Sequence, residues 1–265
     1  VNFRQRWPGA IRRAYQRYGH RSDLIFIQNG NPFAAKWLKR FEPPVVYMAS
    51  EYALHSAQLY KDASSPPQGV LAHSQQVVDY CLSKEIPVQR VHHAFHEQYY
   101  HLEAIPYLYD LCFIGSLNAR RQAWLSPLKQ ALGKRMFIGE VWKPEAINTL
   151  YNQSKLVIHV HAAEENYIPT RFFEVLPTQA CLITESLGEN LTPDLCFDGY
   201  AQFSTPEEAL ATVKQLLNDN ALRTNMNRIA RTKAPLHSWQ GRMKTYSDYF
   251  KETVTRDAHA PHHSL

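Results

Sequence analysis

The sequence predicts an α/β protein made of two parallel-sheet units, and three observations carry that reading. Short apolar runs rich in β-branched residues, such as Leu156 to His161 (LVIHVH) and Ala180 to Glu185 (ACLITE), fit strands buried on both faces. Helical stretches alternate with such runs through short links, the pattern of strands joined by crossover helices. The alternation runs through one series, pauses in a connector rich in Tyr and His, and restarts near Asp110.

In the first series, WPGAIRRAYQRYGHR forms a basic, aromatic helix that Gly19 stops. Because a strand follows at once, its charge is read as the outer face of a sheet cover, not as a nucleic-acid surface. Strands are expected over Asp23 to Gly30, Pro43 to Glu51, Gly69 to Gln75 and Val88 to His96. Asn29 to Pro32 turns into a helix around FAAKWLKRF, and VVDYCLSK is the helix after the third strand.

The second series opens with the strand LCFIGS, followed by the helix ARRQAWLSPLKQAL, the strand RMFIGEV and the helix KPEAINTLYNQS. After LVIHVH and ACLITE come a strand near GYAQF and helices from Pro206 to Thr232. In the closing helix, Trp239, Met243, Tyr246 and Phe250 recur at helical spacing and predict one buried face. The polar end, DAHAPHHSL, is expected to be disordered.

Composition sets the broad class. With 265 residues, 45% hydrophobic and 20% charged, the chain suits one large or two modest globular domains. No apolar run approaches the ~20 residues of a membrane span. There is no signal-peptide pattern, although a chain opening on Val1 leaves room for a missing leader or segment. Cys81, Cys112, Cys181 and Cys196 form no CxxC, which suits reduced thiols in a cytoplasmic protein. The net charge of +5 reads as a solvated surface and leaves peripheral membrane association open. The sequence has 13 histidines but no HExxH, and no metal site is expected.

The candidate site lies in Tyr151 to Glu185. LVIHVH leads through the polar loop AAEENYIP into a helix where Arg171 and Glu174, three residues apart, share a face. In open α/β sheets, strand carboxyl ends and helix amino ends frame the ligand crevice, and free amides there attract phosphate. An arginine beside a carboxylate suits a ligand with phosphate and hydroxyl groups, as in a nucleotide sugar. Transfer from such a donor builds charge on the leaving diphosphate, which without a metal must be met by Arg, Lys or amides. Arg171 is the first candidate for that role. Gly115 and Ser116 would allow close backbone approach, and Arg121 or Arg120 could reach in from the next helix. Glu51, His55 and His73 end or follow strands of the first series and are the candidate general bases.

The same stretch carries a resemblance. Tyr151, Asn152, Ser154, Lys155, His161, Asn166, Arg171, Phe173, Glu174, Thr184 and Glu185 resemble the signature segment of group 1 glycosyltransferases of the GT-B fold. The nearest pattern is that of the spore-maturation-type (CgeB-like) branch. Leu111 to Leu125 is similar to the strand and Gly-Ser turn that open that family's donor domain, and Leu236 to Phe250 to its closing helix. The chain departs from the family at Pro177, Thr178 and Gln179, where a small Ala-Cys-Gly turn is usual.

The resemblance implies two Rossmann-like domains facing a cleft. They would be an acceptor-side domain over 1–105, either trimmed or lacking its first unit because no strand with a glycine-rich turn precedes Asp23, and a donor domain over 106–236. A helix over 237–254 would cross back to the first domain, leaving a disordered tail over 255–265. It implies transfer of a hexose from a nucleotide-diphosphate sugar to an unidentified acceptor (glycan, protein or small molecule), retaining and without metal or other cofactor. Glu174 would hold the ribose hydroxyls, and Val141 and Trp142 would border the nucleobase, with core packing the alternative for Trp142. Asn166, Tyr167 and Thr170 would contact the phosphates and sugar. The rival reading is a degenerate fold that binds a nucleotide sugar, glycan or partner without turnover.

Overall fold

The computed structural model describes residues 13, 16–17, 21–28, 43–49, 67–163 and 168–258. The chain divides into two compact units, residues 1–92 with 244–265, and residues 93–243. No helix among the described residues is long and apolar enough to cross a membrane.

In the first unit β1 (Ile25–Gln28), β2 (Val45–Ala49), β3 (Gly69–Ala72) and β4 (Val88–Arg90) form a parallel sheet in sequential order. Every residue of β2 and β3 is buried, which accounts for their unbroken apolar character. α1 (Gln75–Ser83) packs Val77, Val78 and Cys81 against Tyr47, Val70 and Ala72. The expected helices of residues 1–21 and around FAAKWLKRF lie wholly or largely outside the described residues.

The second unit contains β5 (Tyr109–Ile114), α2 (Ala119–Leu132), β6 (Met136–Gly139), α3 (Pro144–Asn152) and β7 (Ser154–His159). There follow α4 (Thr170–Val175), β8 (Cys181–Glu185), β9 (Tyr200–Phe203), α5 (Pro206–Asn218) and α6 (Asn220–Lys233). Its strands are all parallel in the order β6-β5-β7-β8-β9. Alternate residues serve two cores: Cys112, Ile114, Val157 and Leu182 face α3 and α4, while Leu111, Phe113, Ile158 and Ile183 face α2 and α5. From β5 the chain steps outward to β6 and then returns to the other side of β5 at β7. That reversal makes the carboxyl ends of β5 and β7 the topological switch point, where open sheets of this kind bind ligands.

Two expected boundaries move. The second unit begins at His93 and not near residue 106, because the connector is bonded to the end of α3. Asn152 takes the Glu103 N–H at 3.1 Å and donates to the His101 carbonyl at 3.0 Å, while Asn148 takes the His101 N–H at 3.1 Å. The last helix, α7 (Trp239–Ala258), continues past residue 254, with 259–265 outside the described residues.

α7 begins in the second unit and ends in the first. Of its expected stripe, Tyr246 is buried but Met243 is 52% exposed, and Tyr249 supplies the anchor instead. The Tyr249 hydroxyl accepts from Val70 N and donates to Pro87 O, both at 3.0 Å. Gly69 is required beneath that ring, since a Cβ there would lie 2.7 Å from the hydroxyl.

Candidate functional site

At the end of β5, Gly115 adopts φ +150°, a backbone geometry that disfavours any side chain. Its N–H donates to Gly139 O at 2.9 Å, so it contributes bare backbone to the site and not an amide. A Cβ at this position would meet Arg121 Nη1 at 3.5 Å and Arg171 Nη1 at 3.6 Å. Two guanidinium groups therefore border the glycine at the switch point. Ser116 and Leu117, next in the loop, are exposed.

Arg171 and Glu174 lie on α4 and are joined through a third residue. Arg171 Nε donates to the Tyr151 hydroxyl at 3.0 Å, and that hydroxyl donates to Glu174 Oε2 at 3.4 Å. Tyr100 lies near the Glu174 carboxylate and favours its charged form. Tyr151 itself is fully buried. Burial opposes the charge on Arg171, but Tyr151 and Glu174 outweigh it, and the arginine pKa is raised. For Glu174 burial wins over Arg171 and the two tyrosines, so its pKa stands above the usual carboxylate value. The result is a cation and a carboxylate held side by side on a short helix.

The loops that frame this pair are laced together. Arg121 Nε donates to Val160 O at 2.9 Å, Arg120 Nη1 to His161 O at 3.0 Å and Asn118 Nδ2 to Ala162 O at 2.6 Å. Three successive carbonyls after β7 are thus held from the amino end of α2. Arg121 also reaches Ser116 O at 3.1 Å, and Arg120 forms an ion pair with Glu185, which accepts the His161 N–H at 2.8 Å. Arg121 and Arg120, expected to reach in from the next helix, are thus engaged with the protein's own carbonyls and Glu185. They are clasps, and Arg121 borders the site only through the edge beside Gly115.

The remaining sequence-predicted residues fall into three groups. Thr170 is exposed at the start of α4, while Val141 packs partly against the core. Trp142, on the loop after β6, is 84% exposed, which removes the core-packing alternative for it. His73, in the first unit directly after β3, is buried and its Nδ1 donates to Val91 O at 3.0 Å, which fixes its tautomer. Glu51, His55, Asn166 and Tyr167 lie outside the described residues.

Two features were missed. His159 Nε2 lies 3.3 Å from His161 Nδ1, and His161 Nε2 lies 3.2 Å from Ser186 O, so His161 donates to Ser186 and accepts from His159. Burial first, and then the neighbouring His161 and arginines, hold the His159 pKa well below the usual imidazole value. The i, i+2 spacing in a strand was the signal that could have found the pair. The other feature is Tyr151, whose link to α4 has no local sequence signature.

The turn where the sequence departs from its family pattern is built from side chains. Thr178 Oγ1 caps Val175 O at 2.8 Å, and Gln179 N donates to Asn152 Oδ1 at 3.0 Å.

Residues 119–248 match the family described as glycosyl transferase-like. This stretch is similar to glycosyltransferase-like domains. Solved GT-B glycosyltransferase structures match nearly the whole chain. Sucrose-phosphate synthase of Thermosynechococcus elongatus aligns at TM-score 0.68 and 12% identity, covering 94% of this chain and 77% of that one. HepE of Anabaena, in complex with UDP and glucose, aligns at 0.69 and 13%, covering 97% and 83%. A glycosyltransferase of Rickettsia africae aligns at 0.67 and 13%, covering 93% and 80%. No curated protein matches the sequence. The fold is therefore GT-B, and the matched stretch holds Arg171 and Glu174, while β5 and Gly115 precede it. Nothing in these matches singles out the spore-maturation-type branch.

Proposed function

We propose that the protein transfers a sugar from a nucleotide-diphosphate sugar to an acceptor, without a metal and with retention at the anomeric carbon. The observation that carries this reading is Arg171 and Glu174, bridged by Tyr151, beside the bare backbone of Gly115. When the bond from the sugar to the diphosphate breaks, its electron pair passes to the phosphate oxygen. A fixed guanidinium at that point stabilises the developing charge without reorganising. Glu174 accepts the ribose hydroxyls, and Trp142 borders the base. HepE was solved with UDP and glucose, a donor chemistry that suits this arrangement.

The reaction is tested by incubating the full chain with a panel of UDP-, GDP- and ADP-sugars, with and without EDTA, and measuring nucleotide release. Release from one donor, unchanged by EDTA, is expected. Binding of nucleoside diphosphates without release from any donor, with or without acceptors, would leave a binding protein. Loss of turnover in EDTA would overturn the metal-independent mechanism.

A further inference from the structure

A cavity of about 470 Å³ opens in the second unit between the connector and the segment joining α6 to α7. Its volume falls in the ~300–1,000 Å³ range of small-molecule sites. Phe95, Leu102, Pro177 and Pro235 make its walls largely apolar. Arg231, in the last turn of α6, stands between this cavity and an adjoining one of about 290 Å³ and lines both. The Arg231 guanidinium is partly buried, and it makes no hydrogen bond or ion pair with any described residue. The carboxylate on the lining, Glu97, is already engaged, its Oε1 accepting the Gln240 N–H at 2.9 Å.

An apolar cavity with one unmatched cation selects a ligand with an apolar body and an anionic end. One wall leads back to the first site: Tyr100 lines the cavity and lies near enough to Glu174 to act on its carboxylate. We propose that this cavity binds a small amphiphilic anion, and that its occupant, packing on the Tyr100 ring, turns the Tyr100 hydroxyl toward Glu174 and so strengthens nucleotide binding. The coupling rests on Glu174 holding the donor ribose; the cavity's own ligand does not. Because linkage is reciprocal, the nucleotide must strengthen binding in the cavity by the same factor.

Octanoate and octanol serve as probes, since they share an apolar chain and differ in charge. Calorimetric titration of the full chain should show one octanoate site, with octanol at least about tenfold weaker. Arg231→Gln, which removes no bond of the fold, should bring the two probes to similar affinity without changing Tm. Leu102→Glu, which places an anion at the mouth, should abolish octanoate binding. Absence of octanoate binding, or equal binding in the parent and Arg231→Gln, overturns the site. Saturating octanoate should then tighten UDP about fivefold in the parent and not in Tyr100→Phe. If UDP binds but octanoate leaves its affinity unchanged, the coupling is wrong. If UDP does not bind at all, the donor-site reading and the coupling fall together, while the octanoate titration still decides the cavity.

Discussion

The Tyr151 hydroxyl stands between Arg171 and Glu174, accepting from one at 3.0 Å and donating to the other at 3.4 Å. One oxygen thus sets the orientation of both charged groups. Tyr151→Phe removes the partner of each, and a buried polar group left unmatched costs about 1–3 kcal/mol. The expected result is a lower Tm and UDP binding weakened about tenfold. A variant that matches the parent in both would show that the hydroxyl positions neither residue.

Arg171→Ala tests the phosphate contact directly. Loss of a charge-assisted hydrogen bond costs about 1.5–3 kcal/mol, or a factor of about 10 to 150 in affinity for UDP. Calorimetry on a variant whose circular dichroism matches the parent is the measurement. Unchanged affinity would make Arg171 a scaffold residue.

Glu174→Gln should change selectivity more than fold. A site built to accept from hydroxyls disfavours a ligand lacking one, since its own groups are left unpaired. The parent should prefer UDP to 2′-deoxy-UDP, and the variant should narrow that preference. Equal ratios in the two proteins would assign Glu174 to Arg171 alone.

Trp142→Ala removes a side chain that is 84% exposed. Tm should stay within the ~0.5 kcal/mol equivalent of a surface change, while UDP affinity falls and the nucleotide-dependent quench of tryptophan emission shrinks. A stable variant with full affinity and full quench would place the base elsewhere.

The pH dependence of stability should reflect His237. Burial, and then Arg242, lower its pKa to about 4. Its Nδ1 accepts from Arg242 Nη2 at 2.8 Å, so protonation breaks that bond. The unfolded value is about 6.5. Because the folded value is the lower one, the unfolded chain binds the proton first, and stability falls as pH drops from about 6.5 to about 4. The loss is about 3 kcal/mol. His159, shifted the same way, adds to it. Denaturant titrations should show a shallower loss for His237→Gln, and an identical profile would contradict the assignment.

Much of the fold was legible because parallel strands buried on both faces leave unbroken apolar runs, as VVYMA and CLITE do. β7 starts at Ser154, two residues before the expected start, because its polar opening is satisfied locally. Ser154 Oγ bonds Leu150 O at 2.7 Å, and Lys155 pairs with Asp110 at 2.7 Å. Arg171 and Glu174 could be found by their spacing on one short helix. The use of Arg121, Arg120 and Asn118 could not, since the carbonyls they hold lie 39, 41 and 44 residues away. Met243 misled because helical spacing admits more than one face, and the buried stripe of α7 runs through Tyr246, Tyr249 and Thr253 instead.

The division of the chain also sets an order of completion during synthesis. Residues 93–243 leave the ribosome as one continuous stretch, and every strand of the β6-to-β9 sheet is then available to pair. The unit begun first is finished last, because Tyr249 must be translated before it can reach Val70 and Pro87. Domains commonly fold in the order in which they emerge; here the cover over Gly69 can form only once α7 has been made.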